Sequence, residues 1–278
     1  MHAPVRIFEG QRYRDASRLE MYDSDTAEED MTAWMAYNEL AWTEELLADP
    51  EDYAEDAERV LRTLRAHAEA PPRDLLHLGC GAGGHDTHFR RVCAVTGVDL
   101  SPGMLEIARR RHPDIDYIEG DMRTLRLGRH FDAVVIPDSI DYMSTRDELR
   151  QAVNSAAAHL RTGGVLYVAG KLREDFRENN FAYTGARDDI HLTLLENNHI
   201  DPRRPENYEA TLVYLLRASG ELRIRTENHL LGLFARDVWE RAFADAGLSL
   251  HISDAHDDYQ RYILGEGAYP VHAFVGKR

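Results

Sequence analysis

Cysteine is nearly absent from this 278-residue sequence: Cys80 and Cys93 are the only two. Two thiols exclude a disulfide framework and a four-cysteine zinc site, so both read as small core or loop residues. Lysine is equally scarce, with Lys171 and Lys277 alone, and arginine carries the rest of the positive charge. Positive charge is short overall, 33 Lys and Arg against 49 Asp and Glu, for a net charge of −16. That balance opposes approach to phosphate backbones or anionic lipid, argues against nucleic acid as a partner, and favours a cationic small molecule such as an amine. No apolar run nears the roughly 18 residues of a membrane span, and the first thirty residues are too charged for a secretory signal. A cytoplasmic protein without a membrane partner is expected. The 14 histidines are scattered. Only His85 and His88 have a local i,i+3 spacing; they read as a polar helix start, and no metal is expected.

What is present is enough for one large core. The chain of 31.7 kDa is 43% hydrophobic, and one domain with elaborations is expected. Residues 1–51 are polar with isolated rings at Tyr13, Tyr22, Trp34, Tyr37 and Trp42, too many for a solvated tail, so part of this cap segment should pack on something. Residues 52–170 read as the cofactor-binding half. A helix starts at Asp52, capped with Glu55, and carries Ala57, Val60, Leu61, Leu64 and Ala68 at helical spacing until Pro71 and Pro72. Dense apolar runs at 74–78, 94–98, 131–136 and 164–169 then alternate with helices capped by Ser101 and by Thr145 with Glu148, and Gly163-Gly164 makes a turn. Strands buried on both faces, with helices between them, imply an α/β fold on a mostly parallel sheet. Residues 171–234 break the rhythm. Strands at 189–195, 208–217 and 221–234, the last two joined by Ala218-Ser219-Gly220, form an inserted antiparallel flap. Residues 235–278 close the chain with a helix through Val238, Trp239, Ala242 and Phe243 and a pair of strands.

The stretch LLHLGCGAGGHDTHF, from Leu75 to Phe89, runs a buried strand into a loop of four glycines. Bare backbone at such a corner lets a ligand come close. Gly79, Gly81 and Gly84 fit the dinucleotide spacing, and Gly79, Gly81 and Gly83 fit a looser one. The second strand ends in Asp99, twenty residues after Gly79, where a carboxylate can accept ribose hydroxyls. Asp99 could also cap the next helix, but Ser101 already does so. Asp121 and Met122 follow the third strand, where a polar and thioether pair can meet an adenine.

The series LLHLGCGAGG, VTGVDLSPGML, EGDMRTL, FDAVVIPDSIDYM and RTGGVLYVAG resembles the class I methyltransferases that use S-adenosylmethionine and release S-adenosylhomocysteine. The likeness spans residues 54–170 and the last forty. It implies a Rossmann-like sheet of seven strands, the last antiparallel, with the cofactor across the strands' carboxyl ends; residues 1–51 are read beside it as an N-terminal helical cap. It also implies that the methionine moiety lies over Gly79, Cys80 and Gly81, with Gly83 in the same turn, and that Asp99 holds the ribose. Leu100 and Met104 would flank the adenine, or simply fill the core. Asp121 would face its amino group beside Met122, and Pro137 and Asp138 would border the sulfonium.

Amine acceptors must lose a proton before attack, and Asp138, Asp141 and Tyr142 stand where that help is needed. The tail TENHLLGLFARDVWERAFADAGL resembles small-molecule N-methyltransferases, including aminosugar types. Those relatives carry a His in the loop where this chain has Tyr142. They also use an N-terminal tyrosine, for which Tyr22 and Tyr37 are candidates, with surface packing as the alternative for either; His229 on the flap reads as either a further candidate base or an exposed strand residue. Rings at Phe176, Phe181, Tyr183, Tyr208 and Tyr214 either wall a cyclic substrate or form the flap's buried face. The expectation is N-methylation of a small molecule. O- or C-methylation, a nicotinamide-dependent reductase and a non-catalytic nucleoside-binding module stand as alternatives, and a homodimer is left open.

Overall fold

Two groups of apolar side chains, alternating along the same strands, set the layers of the molecule. The structure, a computed structural model, describes residues 34–255, 261–265 and 268–278, so Tyr13 and Tyr22 lie outside the described residues. In chain order the helices are α1 (Glu44–Leu47), α2 (Ala54–His67), α3 (Asp86–Phe89), α4 (Pro102–Arg111), α5 (Arg146–Ala158) and α6 (Arg236–Asp245). The strands are β1 (Asp74–Leu78), β2 (Ala94–Asp99), β3 (Asp116–Glu119), β4 (Phe131–Ile136), β5 (Leu160–Gly170), β6 (Asn179–Arg187), β7 (Ile190–His199), β8 (Asn207–Ala218), β9 (Glu221–Gly232), β10 (Ser249–Ala255) and β11 (Val271–Lys277). Leu76, Leu78, Val134, Ile136, Leu166 and Val168 point to one face and pack on α5 and α6. Their neighbours Leu75, Ala133, Val135, Val165 and Tyr167 point to the other and pack on α2, α3 and α4.

The seven-stranded sheet has the order β10-β11-β5-β4-β1-β2-β3, and β11 runs antiparallel to both neighbours. The order of strand addition reverses between β1 and β4, which run parallel, and this leaves a crevice beyond the carboxyl ends of these strands, where α/β sheets hold ligands. Two local expectations shift. The helix at Asp52 begins earlier: Pro50 opens a 3-10 turn (Pro50–Tyr53) with Asp49 and Asp52 as its capping box, and α2 follows without a break. Gly163 and Gly164 lie inside β5, where Gly163 has φ +76 and the register to β4 shifts, so they form a bulge within the strand.

The flap is a separate antiparallel sheet of four strands, β6-β7-β8-β9, one more than the sequence suggests. The added strand β6 passes so close to α1 that a Cβ on Gly185 would stand 2.0 Å from the Leu46 carbonyl oxygen. Leu192, Leu194, Leu212 and Tyr214 pack against Ala36 and Leu40, so the cap segment closes on the flap. The flap's two ends meet: the Arg173 N–H donates to the Phe234 carbonyl at 3.0 Å.

Candidate active site

The bend after β1 is held open by its own backbone. Gly79 and Gly81 take φ of +67 and +52, a region costly for residues with a Cβ. A Cβ on Gly79 would overlap Ser139 at 1.9 Å, whereas one on Gly81 would meet nothing within 4 Å, because Gly81 borders a cavity of about 460 Å³. That cavity lies in the crevice of the sheet and under the flap, within the usual size for a small-molecule site. Asp99 points into it from the end of β2. Its Oδ2 accepts the Gly81 N–H at 2.7 Å and its Oδ1 accepts the Ser101 N–H at 2.8 Å. Burial raises the Asp99 pKa against the pull of these N–H groups. Ser101 caps α4 through Met104, as expected, so Asp99 is not the cap.

The structure brings Gly79, Cys80, Gly81, Asp99, Leu100, Met104, Asp121, Met122, Pro137, Asp138 and Tyr142 to one cavity wall. Gly83 is not on it. Its φ is +75 and its missing Cβ faces the Tyr117 hydroxyl at 2.7 Å, so it makes room for packing, while Gly84 lies on the wall instead. Met104 serves both readings, since it lines the cavity and is buried against Ala41, Ala82 and Ile107. Asp121 is tied to its own loop, accepting from Arg123 Nε, and Arg123 also reaches Glu148.

Beneath the bend lies a polar layer. His77 Nδ1 meets Asp86 at 2.7 Å, and Asp86 also accepts from the Tyr117 hydroxyl at 2.9 Å. His77 Nε2 is buried and without a protein partner, on a side chain that lines the cavity. His85 bonds Asp56 at 2.7 Å and His88 bonds the Pro50 carbonyl at 2.9 Å, so the two do not share a ligand.

At the far end, Asp138 and Tyr142 follow β4, and the flap supplies Tyr183, Tyr208, Tyr214 and His229. Phe176 and Phe181 are buried elsewhere and do not line the cavity. Tyr142 hydrogen-bonds Tyr37 of the cap segment. Lys171 and Asp141 form a buried ion pair, and the Tyr208 hydroxyl also donates to Asp141 at 3.2 Å. Burial disfavours the Lys171 charge, but Asp141 outweighs it and holds the ammonium above its ordinary range.

Residues 75–164 match the family model for a methyltransferase domain. The chain is 34% identical over 200 residues, 71% of its length and 84% of the relative's, to dTDP-3-amino-3,4,6-trideoxy-alpha-D-glucopyranose N,N-dimethyltransferase of Streptomyces venezuelae. The chain belongs to the S-adenosylmethionine-dependent methyltransferases. Two solved structures are similar throughout. An amino pentose methyltransferase of Micromonospora echinaspora with S-adenosylmethionine bound superposes with a TM-score of 0.67 at 26% identity, covering 91% of this chain and all (100%) of that one. A sugar N-methyltransferase of Streptoalloteichus gives 0.69 at 25% identity, covering 99% of each.

This methyltransferase therefore uses S-adenosylmethionine and acts on a small-molecule acceptor, with nitrogen the favoured atom, and the nicotinamide alternative falls away. Its open bend at Gly81, the Asp99 carboxylate and the unpaired His77 Nε2 fit a ligand with a ribose and a polar tail. Sequence reading missed Trp34, Lys171 and Glu196 as parts of the site. The scarcity of lysine was the one available signal for Lys171; the other two depend on distant contacts.

Proposed function

We propose that this methyltransferase transfers methyl groups to the amino group of an amino sugar, in the cytoplasm, in two successive rounds. The likeness to N,N-dimethyltransferases of nucleotide-linked amino sugars supports the acceptor class and the double transfer. One structural observation carries the reading. Asp138, Tyr142 and Tyr37, groups suited to hold an amine, stand in the same cavity as the glycine bend.

In this reading Gly79, Cys80 and Gly81 hold the methionine part of the donor and Asp99 holds its ribose. Leu100 and Met104 flank the adenine, Asp121 and Met122 border it, and Pro137 lies near the sulfonium. S-adenosylmethionine supplies an already activated methyl group, so the protein mainly aligns the nitrogen and excludes water. Asp138 and Tyr142 orient the amine by hydrogen bonds. The test is mass spectrometry of dTDP-3-amino-3,4,6-trideoxyglucose, and of its 3-hydroxy counterpart, after incubation with enzyme and S-adenosylmethionine. One and then two added methyl groups on the amino sugar alone are expected. Modification of the hydroxy sugar with the amine untouched would replace this reading by O-methylation.

A further inference from the structure

His229 stands on β9, lines the cavity, and is 1% exposed. A histidine buried to that degree needs partners for two ring nitrogens. Nε2 makes no protein hydrogen bond but lies at ion-pair distance, 3.0 Å, from Oε2 of Glu227, two residues away on the same face of the strand. Nδ1 lies 3.4 Å from the Tyr142 hydroxyl. The ring stacks on Trp34, with centroids 4.1 Å apart and 12° between the planes, which fixes its tilt. Glu227 is fixed in turn, accepting the backbone N–H groups of Met35 and Ala36. Burial works against its charge, but the His229 contact and these N–H groups prevail and keep the Glu227 carboxyl below its ordinary range.

Tyr142 completes the row. Burial raises its phenol well above the ordinary range, with Asp138 and Glu196 adding to this and the Tyr37 hydrogen bond opposing it. Such a phenol does not ionise by itself, but it can release one proton as it accepts another. The groups facing this row are Glu227 on the same strand, Tyr37 on the cap segment, Asp138 after β4, and Glu196, Tyr208 and Tyr214 on the flap. Lys171 is nearby and already paired with Asp141. The charge surrounding the row is mainly acidic.

We infer that Tyr142, His229 and Glu227 form a proton relay that deprotonates the acceptor ammonium. The inference rests on the amine reading above. An ammonium has no lone pair with which to attack. Its N–H bond breaks and the proton passes to the Tyr142 oxygen, while the phenolic proton of Tyr142 moves to Nδ1 of His229. The resulting imidazolium has its countercharge in the Glu227 carboxylate, 3.0 Å from Nε2. The freed lone pair forms the N–CH3 bond as the S–CH3 bond breaks, and that bond's electron pair stays on sulfur. His229 returns its proton to solvent before the next round. Tyr142 touches the acceptor and is the catalytic residue, whereas His229 and Glu227 act through it as positioning residues. The 3.4 Å contact is long, as catalytic hydrogen bonds commonly are before the substrates tighten them.

The test is the pH profile of kcat/KM for wild type, His229→Gln, Glu227→Gln and Tyr142→Phe, with the amino sugar nucleotide named above as acceptor. Near neutral pH each variant should lose about a hundredfold. Most of that loss should return as the pH rises past the amine's own pKa, because the nitrogen then arrives unprotonated, and S-adenosylhomocysteine affinity should not change. A loss equal at every pH, or no loss, overturns the relay. If wild type leaves this amine untouched, the amine reading fails first, and nitrogen NMR of ring-labelled histidine with S-adenosylhomocysteine bound decides the relay separately. A neutral His229 carrying its proton on Nε2, with Nδ1 responding to Tyr142→Phe, supports it; a proton resting on Nδ1 overturns it.

Discussion

Gly81 donates its backbone N–H to Asp99 across 2.7 Å, so the bend after β1 and the acid that ends β2 form one unit. Each carboxylate oxygen already accepts one backbone N–H and keeps a lone pair for a ligand hydroxyl. The bend sets where the acid points, and the acid stiffens the bend.

Asp99→Ala should therefore raise the dissociation constant of S-adenosylhomocysteine about tenfold or more, as expected for one charge-assisted contact of roughly 1.5–3 kcal/mol. Isothermal titration calorimetry reads this directly. Unchanged affinity would place the ribose elsewhere in the cavity.

The two left-handed glycines should fail differently. Alanine at either position meets backbone strain of roughly 1–2 kcal/mol. At Gly79 the added methyl also overlaps Ser139, while at Gly81 it enters open cavity. Gly79→Ala is expected to lower Tm by more than Gly81→Ala, and Gly81→Ala to weaken S-adenosylhomocysteine binding at a small Tm cost. Equal Tm losses in scanning calorimetry would contradict this division.

Lys171→Met strands Asp141 in the interior, and breaking a buried pair in this way costs roughly 3–5 kcal/mol. Urea unfolding should show that loss, and adding Asp141→Asn should recover much of it. A Lys171→Met variant as stable as wild type would mean that water reaches Asp141.

The His85–Asp56 pair gives stability a pH dependence of known sign. Burial opposes both charges, but each partner's hydrogen bond and charge prevail, so the His85 pKa is raised and the Asp56 pKa lowered. The His85 contribution is complete below its unfolded pKa of about 6.5 and is lost as pH rises through the higher folded value. The Asp56 contribution is complete above its unfolded pKa of about 3.9 and is lost as pH falls through the lower folded value. His85→Gln should flatten the decline in Tm above neutral pH. A decline of the same size in the variant would assign it to another group.

The main sheet could be read from the sequence because strands buried on both faces must be almost wholly apolar, and four such runs stand out. The place of Asp99 on the cavity wall was legible too, since an acid that ends the strand beside a glycine bend stands at the crevice of the sheet. The strand β6 was not legible: its sequence NNFAYTGAR mixes polar and small residues, and Gly185 is required by the Leu46 carbonyl rather than by any local pattern. Glu227 looks like an ordinary polar position of a strand, and His229 stands out only as a candidate base without partners. Their meaning comes from Trp34 and Tyr142, which lie far away along the chain and are brought near only by the flap. Gly83 misled because a glycine needed for packing and one needed for a ligand look the same in a motif.

The hydrogen bond between Arg173 and Phe234 joins the flap's entrance to its exit. An insertion that leaves and rejoins the chain at one point can be lengthened, trimmed or exchanged without rethreading the sheet beneath it. Under the proposed amino-sugar reading, the flap that faces the acceptor is thus a replaceable module on the sheet that holds the donor. Grafting a flap from a sugar methyltransferase of different preference, cut at these two residues, offers a direct route to redirecting the enzyme.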